Sequence, residues 1–99
     1  MAMIIVTIKY SVTDRDAVLA IAKPYSAAAR LANGNHEHFI MPTYEDNQLY
    51  SVEVWDSMSD YEAFRATEAA RTFTACREPY FLEETRKMQF YEVLKTDAA

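Results

Sequence analysis

Residues 3–10 place Ile4, Val6, Ile8 and Tyr10 on one side and Ile5, Thr7 and Lys9 on the other. Their β-branched and aromatic content predicts a strand that is apolar on much of both faces. Thr13-Asp14-Arg15-Asp16 then supplies a helix cap, and Ala17, Val18, Ile21, Ala22, Tyr25, Ala28, Ala29 and Ala32 recur at helical spacing. Asn33-Gly34, the pair best suited to left-handed backbone, stops that helix. Pro24 lies inside it, where proline removes a backbone bond and crowds the preceding turn, so a kink or two shorter helices are expected.

Residues 36–44 and 49–56 are strand-like, and the polar turn Glu45-Asp46-Asn47-Gln48 joins them into an antiparallel hairpin. Pairing Tyr44 with Leu49 sets Ile40 opposite Glu53 and His38 opposite Trp55. Phe39, Met41, Tyr50, Val52 and Val54 then gather on the reverse face. Ser59-Asp60-Tyr61-Glu62 reads as a capping box that opens a helix over 59–66. A further helix over about 68–78 follows, with Tyr61, Phe64, Ala69, Phe73, Cys76 and Tyr80 at core spacing, until Glu78-Pro79 ends it. Residues 85–94 form a last strand.

The order β-α-β-β-α-β predicts an α+β, ferredoxin-like fold: a split βαβ with a four-stranded antiparallel sheet and both helices on one face. Helices roof only one side, yet the hairpin is apolar on both. An exposed apolar sheet face of a few hundred Å² costs several kcal/mol at about 25 cal/mol per Å², comparable to the stability of a small domain. A two-fold homodimer packed sheet against sheet is therefore expected.

Ninety-nine residues imply a single domain over 1–99, with a modest core. A net charge of −5 argues against a phosphate backbone or an anionic membrane surface as partner, and no apolar run approaches the roughly 20 residues that span a bilayer. The single cysteine, Cys76, forms no intramolecular disulfide, and the N-terminus lacks a basic stretch followed by an apolar run, so cytoplasmic residence is expected. Lys95 to Ala99 read as a loose tail.

Candidate chemistry centres on Glu53 and Trp55, a carboxylate and an indole on one strand face. Trp55 reads either as pocket lining or as a core anchor. Glu53 reads either as a reacting group or as the ion-pair partner of Arg65, Arg71 or Arg77. His36 and His38, at i and i+2, project from one face as two metal ligands would, but a third ligand is wanting, and His36 at the strand end reads as solvated. Cys76, on an apolar stripe, reads as a buried inert thiol. The alanines Ala17, Ala22, Ala28 and Ala29 leave room between helix and sheet, either as a ligand slot or for close packing.

The element order, the Ile4-Ile5-Val6-Thr7 strand, the Asn33-Gly34 stop, Glu53-x-Trp55 and Asp60-Tyr61-Glu62-Ala63-Phe64 together resemble the antibiotic biosynthesis monooxygenase domain over nearly the whole chain. The resemblance implies a dimeric α/β barrel. It also implies oxidation of phenols or hydroquinones by molecular oxygen with no metal, flavin or haem. The face carrying His38, Ile40, Glu53 and Trp55 would then be the site, with the Val52/Val54 face as the dimer core. Many members carry Ser/Thr-Pro-His where this chain has Thr67-Glu68-Ala69, so no histidine role carries over there. No histidine lies beyond His38 to ligate haem as in haem-degrading relatives.

On this reading the chain is a cofactor-independent monooxygenase acting on a small aromatic, phenolic or quinol-like compound. His38 is the base that deprotonates the substrate, because an ordinary histidine titrates near working pH. Trp55 stacks on the ring and Glu53 orients the histidine or a substrate hydroxyl. His36, Ile40, Phe64 and Phe73 supply substrate contacts. An isomerase of a small carbonyl compound on the same scaffold and a noncatalytic ligand-binding or stress-related dimer remain as alternatives.

Overall fold

A computed structural model describes residues 2–94; the expected tail at 95–99 lies outside them. The elements are β1 (Ile4–Val12), α1 (Arg15–Leu31), β2 (Asn35–Pro42), β3 (Gln48–Trp55), α2 (Met58–Arg65), α3 (Glu68–Arg77), a 3₁₀ turn (Glu78–Tyr80) and β4 (Phe81–Glu92). The strands form one antiparallel sheet in the order β2-β3-β1-β4, the ferredoxin-like arrangement.

Alternation along β3 is complete: Leu49, Ser51, Glu53 and Trp55 are buried, and each residue between them is half-buried. The buried set faces the helices. Ile4, Val6 and Trp55 of the sheet pack with Ala22, Tyr25 and Ala29 of α1, Tyr61 and Phe64 of α2, and Ala70 and Phe73 of α3. A second cluster at the other end joins Tyr10, Val12, Val18 and Leu49. Ala22 and Ala29 let α1 lie close to the sheet, so close packing is their role.

Helix α1 runs unbroken for 17 residues through Pro24, so the expected division into two shorter helices does not occur. Pro24 sits on the exposed side, and so does Ala20, whose carbonyl loses its amide donor; water can serve that carbonyl. Asp14 caps the helix by accepting from the Ala17 amide at 3.1 Å. At the far end Gly34 takes φ +84°, and a Cβ there would meet Asp60 at 2.5 Å, so conformation and close approach both select glycine. The Gly34 carbonyl accepts from the Asp56 amide at 2.7 Å, which ties the exit of α1 to the end of β3.

The hairpin corrects the expected register by two residues. His38 lies opposite Glu53, Ile40 opposite Ser51 and Pro42 opposite Leu49. A two-residue shift preserves every residue's face, which is why the partition into two faces holds while the pairing of His38 with Trp55 does not. The cause is the turn. It runs longer than expected, with Asn47 at φ 53°, the Thr43 amide donating to the Gln48 carbonyl, and Arg15 Nη1 donating to the carbonyls of Thr43, Glu45 and Gln48.

Ser57, not Ser59, caps α2: its hydroxyl accepts from the Asp60 amide at 3.2 Å. Thr67 caps α3, so Thr67-Glu68-Ala69 is a helix start. Strand β4 begins at Phe81, earlier than the expected residue 85. Its pairing with β1 shifts between Lys9 and Ser11, where Thr85 Oγ1 accepts from the Ser11 amide at 2.8 Å. Cys76 is exposed, contrary to the expected buried thiol; it lies at the groove between α1 and α3 with Ile21 and Thr72. Among the described residues no helix is long and apolar enough to cross a membrane.

Candidate active site

Register places His38 and Glu53 side by side on the buried face of the hairpin, 2% and 5% exposed. A carboxylate removed from water must find donors, and two elements supply them. Tyr25 of α1 donates its hydroxyl to Glu53 Oε2 at 2.7 Å, and the Trp55 indole N–H, two residues along β3, donates to Oε1 at 2.9 Å. His38 Nδ1 stands 3.4 Å from Glu53 Oε2. The ring is not aligned for a hydrogen bond to the carboxylate, and Nδ1 has no other partner. His38 Nε2 meets Ser26 Oγ of α1 at 2.8 Å. A second layer holds the first: Arg65 Nη1 donates to the Tyr25 hydroxyl at 3.3 Å while its Nη2 donates to Thr74 at 3.0 Å.

Burial alone raises the Glu53 carboxyl. The combined effect of His38, Tyr25 and Trp55 outweighs it and holds the group below the usual carboxylate range, so Glu53 is ionised at neutral pH. Burial and the neighbouring Glu53 charge push Tyr25 well above an ordinary phenol, and it stays a neutral donor. Edge-on packing of the Tyr25 ring against His38, with centroids 5.4 Å apart, and against Phe64 at 5.3 Å fixes its direction.

A cavity of about 70 Å³ lies against this network, walled by Tyr25, His38, Glu53, Phe73, Arg65 and Arg77, among others. A wider hollow of about 470 Å³ between β4 and the start of α2 is lined by none of the network residues, so it lies away from the chemistry. Of the residues expected at the site, the structure brings His38, Glu53, Ile40 and Phe73 to the cavity wall. Trp55 and Phe64 do not reach it; both are core residues with ring centroids 5.4 Å apart, and Trp55 acts on the site only through Glu53. His36 is exposed and pairs with Asp56 at the surface, so the two histidines do not converge. No group of three metal-binding side chains assembles among the described residues. No arginine pairs directly with Glu53 among the described residues; Arg65 reaches it through Tyr25.

Sequence reasoning placed Tyr25 only as a core residue and did not single out Ser26. A signal existed: a carboxylate on a buried strand face requires donors, and Tyr25 is the tyrosine of the helix that covers it. Ser26, His38 and Glu53 stand in the order nucleophile, base and carboxylate. Ser26 is nonetheless buried on the sheet-facing side of α1 and does not line the cavity, so no carbonyl substrate can approach its hydroxyl.

With the geometry in place, the relationships become interpretable. The antibiotic biosynthesis monooxygenase family matches residues 1–75, and the chain belongs to that family. SnoaB from Streptomyces nogalater, described as a cofactor-independent oxygenase, superposes with a TM-score of 0.83 at 11% identity over 100% of both chains. A protein of Chloroflexus aurantiacus, described as a candidate antibiotic biosynthesis monooxygenase, superposes with a TM-score of 0.80 at 19% identity over 96% of both. A Bacteroides thetaiotaomicron protein of unknown function superposes with a TM-score of 0.82 at 15% identity, over 93% of this chain and 98% of that one. At these identities the likeness establishes the fold. None of the curated proteins matches the chain.

The network predicts a pH-dependent stability. Because the folded state holds Glu53 below its ordinary value, its stabilisation is complete above the ordinary carboxylate range and is lost as pH falls through the lowered value. Tyr25→Phe removes one donor to the charged group and should cost about 2 kcal/mol at pH 7 in urea unfolding. That difference should shrink below the carboxylate range; a difference constant with pH would show that the hydroxyl does not stabilise the ionised form.

Proposed function

We infer that the protein is a monooxygenase that oxidises a small phenolic or quinol-like substrate with molecular oxygen, without a resident cofactor. The observation that carries this reading is His38 Nδ1: buried, unpartnered, on the wall of the cavity and 3.4 Å from an ionised carboxylate. Family membership and the oxygenase described for SnoaB point the same way. With the Nε2 proton donated to Ser26, Nδ1 offers a lone pair to a substrate hydroxyl. Proton transfer creates an imidazolium, which Glu53 stabilises in a medium of low dielectric. The phenolate then gives an electron to oxygen, and the two radicals join as a hydroperoxide on a ring carbon bearing hydrogen. Loss of water breaks the O–O and C–H bonds and leaves a quinone. One oxygen atom enters the product and the other leaves as water, so no external reductant is needed.

Cavity size sets a condition. About 70 Å³ is half the roughly 150 Å³ that accommodates benzene, so a ring enters only when a wall moves. Arg86 on β4 is exposed and lightly held, 3.6 Å from Glu83, and is the lining side chain free to swing. The same tightness supports a second reading, a noncatalytic ligand-binding protein.

We place residues 1–99 in one cytoplasmic domain that pairs with a second copy. Phe39, Met41 and Tyr91 are exposed and Tyr50, Val52 and Val54 half-buried on the sheet face that the helices leave open, an apolar surface suited to a two-fold partner. Sedimentation at micromolar concentration should give two subunits; one well-folded subunit would remove the dimer. Oxygen uptake with phenols that have a free para position should transfer one atom of labelled oxygen to the product. His38→Ala should lower kcat about 100-fold or more. Uptake unchanged in that variant would remove His38 as the base, and no uptake with any compound would favour the binding reading.

A further inference from the structure

Three guanidiniums, those of Arg65, Arg77 and Arg86, share the cavity wall with one carboxylate, Glu53. This runs against a chain whose net charge is −5. Glu53 does not balance them, since its oxygens already receive Tyr25 and Trp55 and face His38. Arg65 spends its donors on Tyr25 and Thr74, and Arg86 reaches Glu83 at the exposed rim. Arg77 is different. Its Nε is buried with no acceptor, and among the described residues it forms no ion pair.

The position of Arg77 is nevertheless fixed. Its guanidinium carbon lies 4.4 Å from the ring centre of Phe81 and 5.0 Å from those of Tyr10 and Phe73. Aromatic packing of this kind suits a weakly hydrated, planar cation. Burial pushes the Tyr10 hydroxyl up and the Arg77 guanidinium draws it down against that rise, while Arg77 Nε is left without an acceptor. A buried donor without an acceptor is costly, and the cost is recovered when a ligand supplies one. Arg77 and Arg86 also lie beyond residues 1–75, the part of the chain that the family match covers.

We propose that the substrate carries a carboxylate, which Arg77 binds on the wall of the cavity while the ring hydroxyl meets His38. This proposal rests on the oxygenase reading for the role of the hydroxyl but not for the anion. A planar carboxylate matches the guanidinium fork, and the small cavity disfavours a bulkier tetrahedral phosphate beside a ring.

Anaerobic calorimetry with 2,5-dihydroxybenzoate, its methyl ester and phenyl phosphate tests this directly. The acid should bind about 10- to 100-fold more tightly than the ester, and Arg77→Gln should abolish that preference while leaving ester affinity unchanged. Arg77→Lys, which keeps charge without the fork, should retain part of it. If Arg77→Gln fails to fold, Arg86→Gln, at an exposed position, should still narrow the gap between acid and ester. Equal binding of acid and ester, or tighter binding of phenyl phosphate, would overturn the proposal. Preferential binding of the acid would leave the anion site standing even if no phenol of the oxygen-uptake panel reacts, whereas oxygen uptake by that panel together with equal binding of acid and ester would remove the anion site alone.

Discussion

The buried carboxylate of Glu53 is the constraint around which the helix-facing side of the sheet is organised. An ionised group at 5% exposure is tolerable only where donors converge on it. Two donors meet that demand, Trp55 from the same strand and Tyr25 from the covering helix, while His38 of the neighbouring strand stands beside the carboxylate without a hydrogen bond to it. Each has a structural consequence. Trp55 anchors the core between α2 and the sheet, Tyr25 fixes the rotation of α1, and His38 locks the hairpin register at its centre. Stability and chemistry therefore share the same atoms, because the donors that make Glu53 tolerable also keep it charged beside the one nitrogen free to accept a proton.

The fold was legible in the sequence because it is written in periodicity. Alternation along β3 and the apolar stripe of α1 gave the sheet faces and the helix, and Asn33-Gly34 gave the boundary. What periodicity cannot give is distance along a strand. A period of two leaves registers two residues apart indistinguishable. The turn that decided between them depends on Asn47 and on Arg15, which arrives from another element. Ser59 was expected as the cap of α2, and Ser57 takes that place because the helix begins directly after β3 ends at Trp55.

The site was half legible. Glu53 and His38 stood out because polar groups on a buried strand face ask for an explanation, and the structure brings them together. Trp55 stood out as well, but it supports the carboxylate instead of lining the cavity. Tyr25 merged with the core pattern because an aromatic ring reads as apolar until its hydroxyl finds a partner. Arg77 was legible only as one of three ion-pair candidates for Glu53, not as part of a cavity wall. It comes from the last turn of α3, and although Phe73 lies one turn earlier on the same helix, Tyr10 and Phe81 belong to β1 and β4, which only the tertiary fold brings to it.

An ionised, multiply bonded Glu53 beside an unpartnered histidine nitrogen is the claim on which stability, register and chemistry converge. Carbon-13 NMR of the Glu53 side-chain carboxyl, followed through an acid titration of the folded protein, tests it most directly. The account predicts that this carbon reports the charged form throughout the ordinary carboxylate range and changes only at lower pH. A carbon that titrates at or above the ordinary value would contradict it, because burial would then have defeated the donors and left a neutral acid at the centre of the sheet.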